Sequence, residues 1–219
     1  MIHGDGTLAN AIRKNLDCPD WLEWAAWDTP IFSDGAPDYV SVDHEILTLC
    51  NRLPAGQTVI VSSQVHVGSC ARLERWFPLL RFAIVPENVR AISAVQDWAH
   101  QDRILFGCRE PRPDVVRILS RWSDRIVHVS PESAEFTKHA LNGFLALSVQ
   151  YAQEIGELAE KVGADPMHVA VGLLSDSRIG AKAYLKPVGD PGPHLCREVH
   201  TLHFLGGGPL IDRLYNTIR

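Results

Sequence analysis

Long apolar runs are missing from this chain, and their absence excludes a broad class of protein. No stretch approaches the roughly 18 consecutive apolar residues of a transmembrane helix. The first residues also lack the basic and apolar regions of a secretory signal peptide. We therefore expect a cytoplasmic protein that does not insert into a membrane.

Cysteine is scarce as well, and its distribution argues against a disulfide framework. Five cysteines occur in 219 residues, an odd number at wide spacing, which favours reduced thiols. No Cys-x-x-Cys pair and no His/Cys cluster has the spacing of zinc ligands, so we expect no metal site. The net charge of −5 gives no reason to expect nucleic acid or an anionic membrane as partner.

Short apolar runs and helix-like segments alternate through residues 1–129, which is typical of an α/β domain with a parallel sheet. Apolar residues make up 46% of the chain and charged residues 21%, as in a soluble globular protein. Strands are predicted at 22–27, 58–62, 82–85, 103–107 and 126–129, with helices within 38–53 and at 114–122.

One long helix is predicted to begin the second half of the chain. Ser130 is a favourable N-cap, and Pro131 suits the first helical position. Apolar residues then recur at spacings of three and four over 131–162, and Gly163 supplies a stop. This helix would be the centre of an all-α domain, 130–219, following the α/β domain, 1–129.

The rest of the second domain is predicted to contain two further helices separated by turn-rich segments. The first ends near Leu174, and the second closes the chain at 209–218. Between them lies a Gly/Pro turn over 189–199 that contains two prolines.

A glycine turn near the N-terminus matches the G-x-G-x-x-G/A pattern of dinucleotide-binding sites. Gly4 and Gly6 are candidate cofactor-binding residues, because glycines there let the backbone approach a pyrophosphate at a helix N-terminus. A tight strand-to-helix turn is the alternative. The acidic ribose ligand expected about 20 residues later is missing, since Asp17 and Asp20 come too early and Asp28 belongs to a later element.

The strongest motif is Glu135, Lys138 and Asn142, followed by Gln153-Glu154 and by Gly163-Ala164-Asp165. This run resembles the Glu-x-x-Lys-x-x-x-Asn, Asn-Glu and Gly-x-Asp pattern of the UDP-glucose/GDP-mannose dehydrogenase family. Residues 176–180 resemble its Asp-x-Arg-Ile-Gly segment, and residues 21–38 resemble a strand and loop that end in Thr-Pro and continue through Gly-x-Pro-Asp.

The resemblance implies a fold, a cofactor and partners. The fold is a shortened Rossmann-like parallel sheet followed by an all-α domain like the C-terminal domain of 6-phosphogluconate dehydrogenase. The cofactor is NAD, although the segment that would recognise its adenosine half is missing, because the strand at 22–27 follows directly on the first helix. The implied partners are a nucleotide sugar or similar small molecule and a second copy of the chain, packed along the helix at 131–162.

The resemblance also assigns roles to individual positions. By match to the family motifs, the catalytic candidates are Lys138, Asn142, Glu87, His194 and Glu198. The cofactor-binding candidates are Gly4, Gly6, Thr29, Ser63 and Gln64, and the substrate-binding candidates are Asn88, Arg90, Arg178, Tyr184 and Gly189. The spacing of Lys138 and Asn142 places them on one side of a helix, although a surface Lys–Asn pair would show the same spacing.

His194 stands where the family has its cysteine nucleophile. Family members oxidise a primary alcohol twice and hold the intermediate aldehyde on that thiol. Imidazole cannot readily replace a thiolate in the adduct, so at most one hydride transfer is expected. Cys196 lies two positions late, and only a slipped loop would bring it into place.

Three hypotheses about function stay open at this stage. The first is an NAD-dependent oxidoreductase that acts once on a sugar or hydroxy acid. The second is a non-catalytic relative that binds a sugar, a phosphate ligand or a protein through the former active-site cleft. The third is replaced chemistry, such as lyase or isomerase work by Lys138, Glu87 and His194.

Overall fold

The chain forms two compact units in a computed structural model that describes residues 1–86, 89–110, 112–180 and 183–218. The sheet unit comprises Met1–Pro30 and Asp38–Lys138, and the helical unit comprises Ile31–Pro37 and His139–Arg219. The division falls between Lys138 and His139, inside the long helix, whereas the sequence prediction placed it before that helix.

The sheet unit is built on six strands that lie in chain order across the sheet. They are β1 Ile2–His3, β2 Leu22–Ala25, β3 Thr58–Val61, β4 Arg81–Ile84, β5 Ile104–Gly107 and β6 Ile126–Val129. β1 to β4 are parallel, and so are β5 and β6. β4 and β5 meet antiparallel through one residue pair, Ile84 and Gly107. The expected α/β class with a mostly parallel, Rossmann-like sheet is confirmed, with this one reversal.

Helices cover both faces of the sheet, so its central strands are largely apolar. The sheet unit contains α1 Thr7–Asn15, α2 Tyr39–Cys50, α3 Ser69–Trp76, α4 Ala94–Ala99, α5 Pro113–Leu119 and the start of α6 Pro131–Lys161. Alternate strand residues point to opposite faces. Ile60 therefore joins the core beneath α1, α4 and α5, while Val59 and Val61 join the core beneath α2 and α3.

β1 is a two-residue strand that pairs with β2 and stands first in the strand order. Within the described part of the chain, no other strand pairs with β1. A Rossmann sheet has further strands on that side, and its second strand carries the ribose-binding acid. In the described residues the sheet therefore has no strand on the far side of β1, in agreement with the prediction that this part of the Rossmann unit is missing.

The helical unit contains the later turns of α6 together with α7 Pro166–Ser175, α8 Gly192–Phe204 and α9 Pro209–Thr217. Its buried core is small and includes Ala146, Val199 and Leu214. The long helix was predicted at 131–162 and is observed at Pro131–Lys161, which confirms it. No helix among the described residues is both long and apolar enough to cross a membrane.

The expectation of a turn over 189–199 is wrong from Gly192 onward, where α8 begins. Pro193 lies in the first helical turn, where a missing N–H costs no helical hydrogen bond. Val199 and Leu202 then bury one face of the helix. Burial of that face outweighs the local turn signal of Gly and Pro.

Candidate functional site

A narrow crevice lies in the sheet unit where β3 and β4 end. Parallel strands of an α/β sheet characteristically place ligand sites at this edge. The crevice is lined by three polar residues and a valine after β3, two residues near the end of β4, and two charged residues of α6: Ser62, Ser63, Gln64, Val65, Ile84, Pro86, Glu135 and Lys138.

Lys138 supplies the positive charge of the crevice and is 8% exposed. Its neighbour on the next turn of α6, Asn142, is also 8% exposed and belongs to the helical unit. Lysine and asparagine are more often exposed, so burial of both is unusual for a helix surface. The alternative of a solvated surface pair is therefore excluded by the structure.

Glu135 anchors the crevice from one helical turn before Lys138. Its carboxylate accepts hydrogen bonds from the backbone N–H groups of Gly68, at 2.6 Å, and Cys70, at 2.8 Å. These groups begin α3, where N–H groups have no helical acceptor. Gly68, in the left-handed region at φ 91°, has no side chain with which to cap the helix itself. Glu135 thus joins α6 to α3 and fixes where Lys138 lies.

The hydroxyl groups at the end of β3 are committed to the sheet itself. Ser62 Oγ accepts from Trp24 Nε1 at 2.9 Å and donates to the Val85 carbonyl at 2.6 Å. Ser63 Oγ accepts from the Trp27 backbone N–H at 2.7 Å. The cofactor-binding role predicted for Ser63 is not tested by this contact, which ties the end of β2 to the end of β3.

Thr29 and Gln64, two further cofactor candidates, contact each other. Thr29 Oγ1 donates to the backbone carbonyl of Gln64 at 3.0 Å, and both residues are buried. Gln64 also lines the crevice, whereas Thr29 is not among the residues that line it.

The glycine turn after β1 is packed against the end of β2. A Cβ on Gly4 would lie 2.4 Å from the Ala26 carbonyl oxygen, and Gly4 has a φ of 113°. A Cβ on Gly6 would lie 2.3 Å from Asp28 Oδ2. Close contacts within the chain thus explain why neither position has room for a side chain.

Asp28 also accepts hydrogen bonds from the backbone N–H groups that follow the glycine turn. Its carboxylate accepts from the Thr7 N–H at 2.8 Å and from the Leu8 N–H at 3.2 Å. A dinucleotide would place its pyrophosphate on these first-turn groups of α1. The glycine turn, with Asp28 bonded in this way, therefore does not fit the pyrophosphate of NAD, and the non-catalytic function proposed below does not depend on that cofactor.

The two arginines predicted to bind substrate each form a local ion pair. Arg90 holds Asp97 through two contacts of 2.9 and 2.7 Å, and its guanidinium keeps the pKa of that carboxyl well below the usual range. Arg178 holds Asp176 at 3.0 and 2.6 Å. This hydrogen bonding lowers the pKa of Asp176 and raises that of Arg178. Both side chains are largely exposed.

Glu198, a catalytic candidate, is the centre of a buried charge network in the helical unit. Glu198 Oε2 lies 2.7 Å from His139 Nδ1, and Glu198 Oε1 accepts from Arg197 Nε at 2.8 Å. Glu198 and His139 are 0% exposed. Buried charges are stable only when paired, so this geometry supports a structural role, and catalysis by Glu198 stays a prediction.

His194 and Cys196 lie in α8 rather than in a substrate loop. His194 is exposed in the first turn. The Cys196 thiol is half-buried and donates to the Ile218 carbonyl at 3.5 Å. Burial raises the pKa of the thiol, which lowers its thiolate fraction and makes it a poor nucleophile.

The remaining candidates belong to the helical unit or are not described. Tyr184 and Gly189 belong to the helical unit, where the Gly189 carbonyl accepts from the Gln153 side chain. Glu87 and Asn88 lie outside the described residues. Among the residues that the structure covers, no group of three or more His, Cys, Asp and Glu side chains could hold a metal ion.

Two functional residues were missed or undervalued at the level of sequence: Asp28 and Glu135. Asp28 follows β2, and the neighbouring parallel strands β1 and β2 end at one edge of the sheet. That adjacency was a usable signal that Asp28 lies beside the glycine turn. Glu135 was part of the family motif, but its bonds to Gly68 and Cys70 join segments more than 60 residues apart and carry no local signal.

Comparison with known proteins agrees with this geometry. The family model described as "UDP-glucose/GDP-mannose dehydrogenase family, central domain" matches residues 132–205. UDP-glucose 6-dehydrogenase of Rhizobium meliloti is 32% identical over 162 residues, which are 68% of this chain and 37% of that protein. UDP-glucose 6-dehydrogenase YwqF of Bacillus subtilis is 28% identical over 214 residues, 93% of this chain and 48% of that protein.

A solved structure of similar fold is a UDP-glucose dehydrogenase from the hyperthermophilic archaeon Pyrobaculum islandicum. The TM-score is 0.74 at 25% identity, and the match covers 90% of this chain and 49% of the other. This chain spans about half, or less, of the length of the curated relatives it matches. It belongs to the UDP-glucose/GDP-mannose dehydrogenase family.

Proposed function

We propose that this chain is a non-catalytic relative of nucleotide-sugar dehydrogenases that binds a hydroxylated, anionic ligand of the nucleotide-sugar class. The observation that carries the proposal is the buried side chain of Lys138 in the crevice after β3. Lysine is seldom buried, and the carboxyl ends of parallel strands are a common place for ligand sites, so this position supports a binding role.

The crevice offers chemistry for holding such a ligand rather than for oxidising it. Lys138 Nζ can donate up to three hydrogen bonds, and the Gln64 amide can donate and accept. Sugar hydroxyls and phosphate oxygens match these groups. Glu135 does not need to contact the ligand, because its carboxylate holds the N-terminus of α3 and positions the lysine.

Calorimetric titration with UDP-glucose, UDP and glucose 1-phosphate tests the proposal. We expect Lys138→Gln to weaken the tightest of these by at least tenfold, about 1.4 kcal/mol. Lys161→Gln, an exposed lysine at the far end of α6, is the matched control and should leave affinity unchanged. Absence of binding of all three ligands to the unaltered chain at millimolar concentration would overturn the proposal.

A single NAD-dependent hydride transfer is the second candidate, favoured by one observation. Lys138 and Asn142 lie one turn apart on α6 and are both buried, as the resemblance to the dehydrogenases requires. Its test is NADH formation with UDP-glucose as substrate. Turnover that disappears in Lys138→Ala would favour this candidate over the non-catalytic one.

We also propose that a second copy of the chain covers an apolar stripe on α6. Phe144, Tyr151 and Leu158 are 64%, 50% and 53% exposed. Their seven-residue spacing places them on one side of the helix, as in a helix–helix seam. A seam of this length suits the same helix of an identical chain, because two identical stripes can cover each other.

A further inference from the structure

We infer that Asp28 closes the dinucleotide cradle of this chain by holding its own carboxylate where a pyrophosphate would bind. The inference concerns the glycine turn after β1 and the N-terminus of α1. It is independent of the proposed function, because the crevice beside Lys138 is lined by other residues.

The hydrogen bonds of Asp28 are those that an anionic ligand would make. Both carboxylate oxygens are used, Oδ2 by the Thr7 N–H at 2.8 Å and Oδ1 by the Leu8 N–H at 3.2 Å. The first N–H groups of a helix lack helical acceptors and carry partial positive charge. Gly6 is the N-cap residue and makes no side-chain cap. Asp28 therefore supplies the cap from the end of the neighbouring strand.

The space of the cradle is filled by the same side chain. A Cβ placed on Gly6 would lie 2.3 Å from Asp28 Oδ2 and 2.5 Å from Asp28 Cγ. In a dinucleotide site, a glycine leaves this volume open for phosphate. Here the Asp28 carboxylate occupies the volume. Phosphate oxygens would overlap with its atoms and would be repelled by its negative charge.

Arg13, a cation on the same helix, does not offset the negative charge of Asp28, because its guanidinium contacts backbone carbonyl groups instead. Arg13 donates to the Ile2 carbonyl at 3.1 Å and to the Gly4 carbonyl. These contacts fasten the last turn of α1 to β1 and to the start of the glycine turn. They stabilise the closed arrangement rather than prepare the turn for phosphate.

The position of β1 in the sheet disfavours dinucleotide binding for a second reason, which is independent of Asp28. Its described pairing is with β2 alone, so the strand that would carry a ribose-binding acid is not beside it. A test with NADH alone would confuse this obstacle with Asp28. Inorganic pyrophosphate needs no adenosine contacts, and it therefore isolates the contribution of Asp28.

The experiment is calorimetric titration of the full chain and of Asp28→Ala with inorganic pyrophosphate in metal-free buffer. We expect Asp28→Ala to bind pyrophosphate at least about tenfold more tightly than the unaltered chain. Asp5→Ala is the matched control, because Asp5 is an exposed residue of the same turn, and the Thr7 and Leu8 N–H groups donate to Asp28. It removes the same charge and should gain nothing comparable.

Two results would overturn the inference. One is micromolar binding of NADH or pyrophosphate by the unaltered chain, which would mean that Asp28 moves aside for the ligand. The other is an equal affinity for pyrophosphate in Asp28→Ala and Asp5→Ala, which would mean that only overall charge matters.

If loss of the helix cap prevents the Asp28→Ala variant from folding, the Asp28→Asn variant provides a second test. Asp28→Asn keeps an oxygen that can accept from the Thr7 N–H, but it removes the negative charge. We expect a smaller gain in pyrophosphate affinity and faster hydrogen exchange at the Thr7 and Leu8 amides. Unchanged exchange at both amides in this variant would contradict the assigned hydrogen bonds.

Discussion

At the residue scale, the same kinds of side chain serve different purposes in the two units. Lys138 lines a narrow crevice, whereas Arg197 is buried against Glu198, which also contacts His139. Burial alone therefore does not identify a functional residue. What separates the two is that Lys138 lines the crevice, whereas Arg197 belongs to a buried network of charged side chains.

We predict that Glu198→Gln destabilises the chain by about 3–5 kcal/mol, because removing one partner of a buried ion pair leaves an uncompensated charge. Chemical denaturation followed by circular dichroism measures the change. Glu157→Gln, at an exposed position of α6, is the control and should stay within about 0.5 kcal/mol. Equal effects of the two substitutions would refute the structural role of Glu198.

The Arg90–Asp97 pair is predicted to stabilise the chain only above acidic pH. The folded-state pKa of Asp97 is depressed by its hydrogen bonds with Arg90, so the contribution is complete above the unfolded carboxyl pKa of about 4 and is lost as pH falls further. Arg90→Gln should cost at most about 1 kcal/mol near neutrality, because the arginine is exposed.

Thermal melts of the unaltered chain and Arg90→Gln at neutral pH and near pH 3 measure this difference. The gap between the two melting temperatures should narrow in acid. Arg52→Gln, at an exposed position after α2, controls for the loss of a positive charge. A gap that is equally large at both pH values would show that the pair does not act through Asp97 ionisation.

At the scale of elements, the N-termini of two helices are capped by carboxylates that come from elsewhere in the chain. α1 is capped by Asp28, and α3 is capped by Glu135. Neither helix has a side-chain cap of its own, because glycine precedes each. Each cap therefore joins two elements as well as satisfying a helix.

Glu135→Gln is predicted to loosen α3 before it unfolds the chain. The amide can keep one oxygen acceptor but loses the charge that interacts with the helix N-terminus, a loss of about 1–2 kcal/mol for a buried site. Hydrogen exchange should rise at the Cys70 amide and stay constant at the Asn10 amide within α1. Protection at Cys70 equal to that of the unaltered chain would contradict the cap.

The helices differ in how far local sequence determined them. α6 was predicted almost to the residue, because its cap, its proline and its three–four apolar spacing agree over eight turns. α8 was predicted as a turn, because Gly192 and Pro193 are strong local turn signals. The apolar face of α8 stabilises the helix only through tertiary packing, in which Val199 lies in the core of the helical unit.

At the scale of the whole molecule, the central question is what covers the apolar stripe of α6. We predict that the chain is a dimer at micromolar concentration and that Tyr151→Glu makes it monomeric, because a charge at the centre of an apolar seam is costly to bury. Analytical ultracentrifugation measures the mass. Glu157→Lys, an exposed change on the same helix, should leave the dimer intact, and a monomeric unaltered chain would refute the prediction.

Sequence by itself determined the α/β class, the long helix and the kinship, because periodicity, caps and short motifs are local and survive in a divergent chain. It also located the missing part of the Rossmann half, since the spacing between β1 and β2 is visible in the chain. Only the tertiary structure decided what the glycine turn holds and where Lys138 lies. Asp28 reaches the α1 N–H groups, and Glu135 reaches α3, across contacts between segments distant in sequence. Such contacts depend on which strands are neighbours and where they end, and no local pattern encodes that.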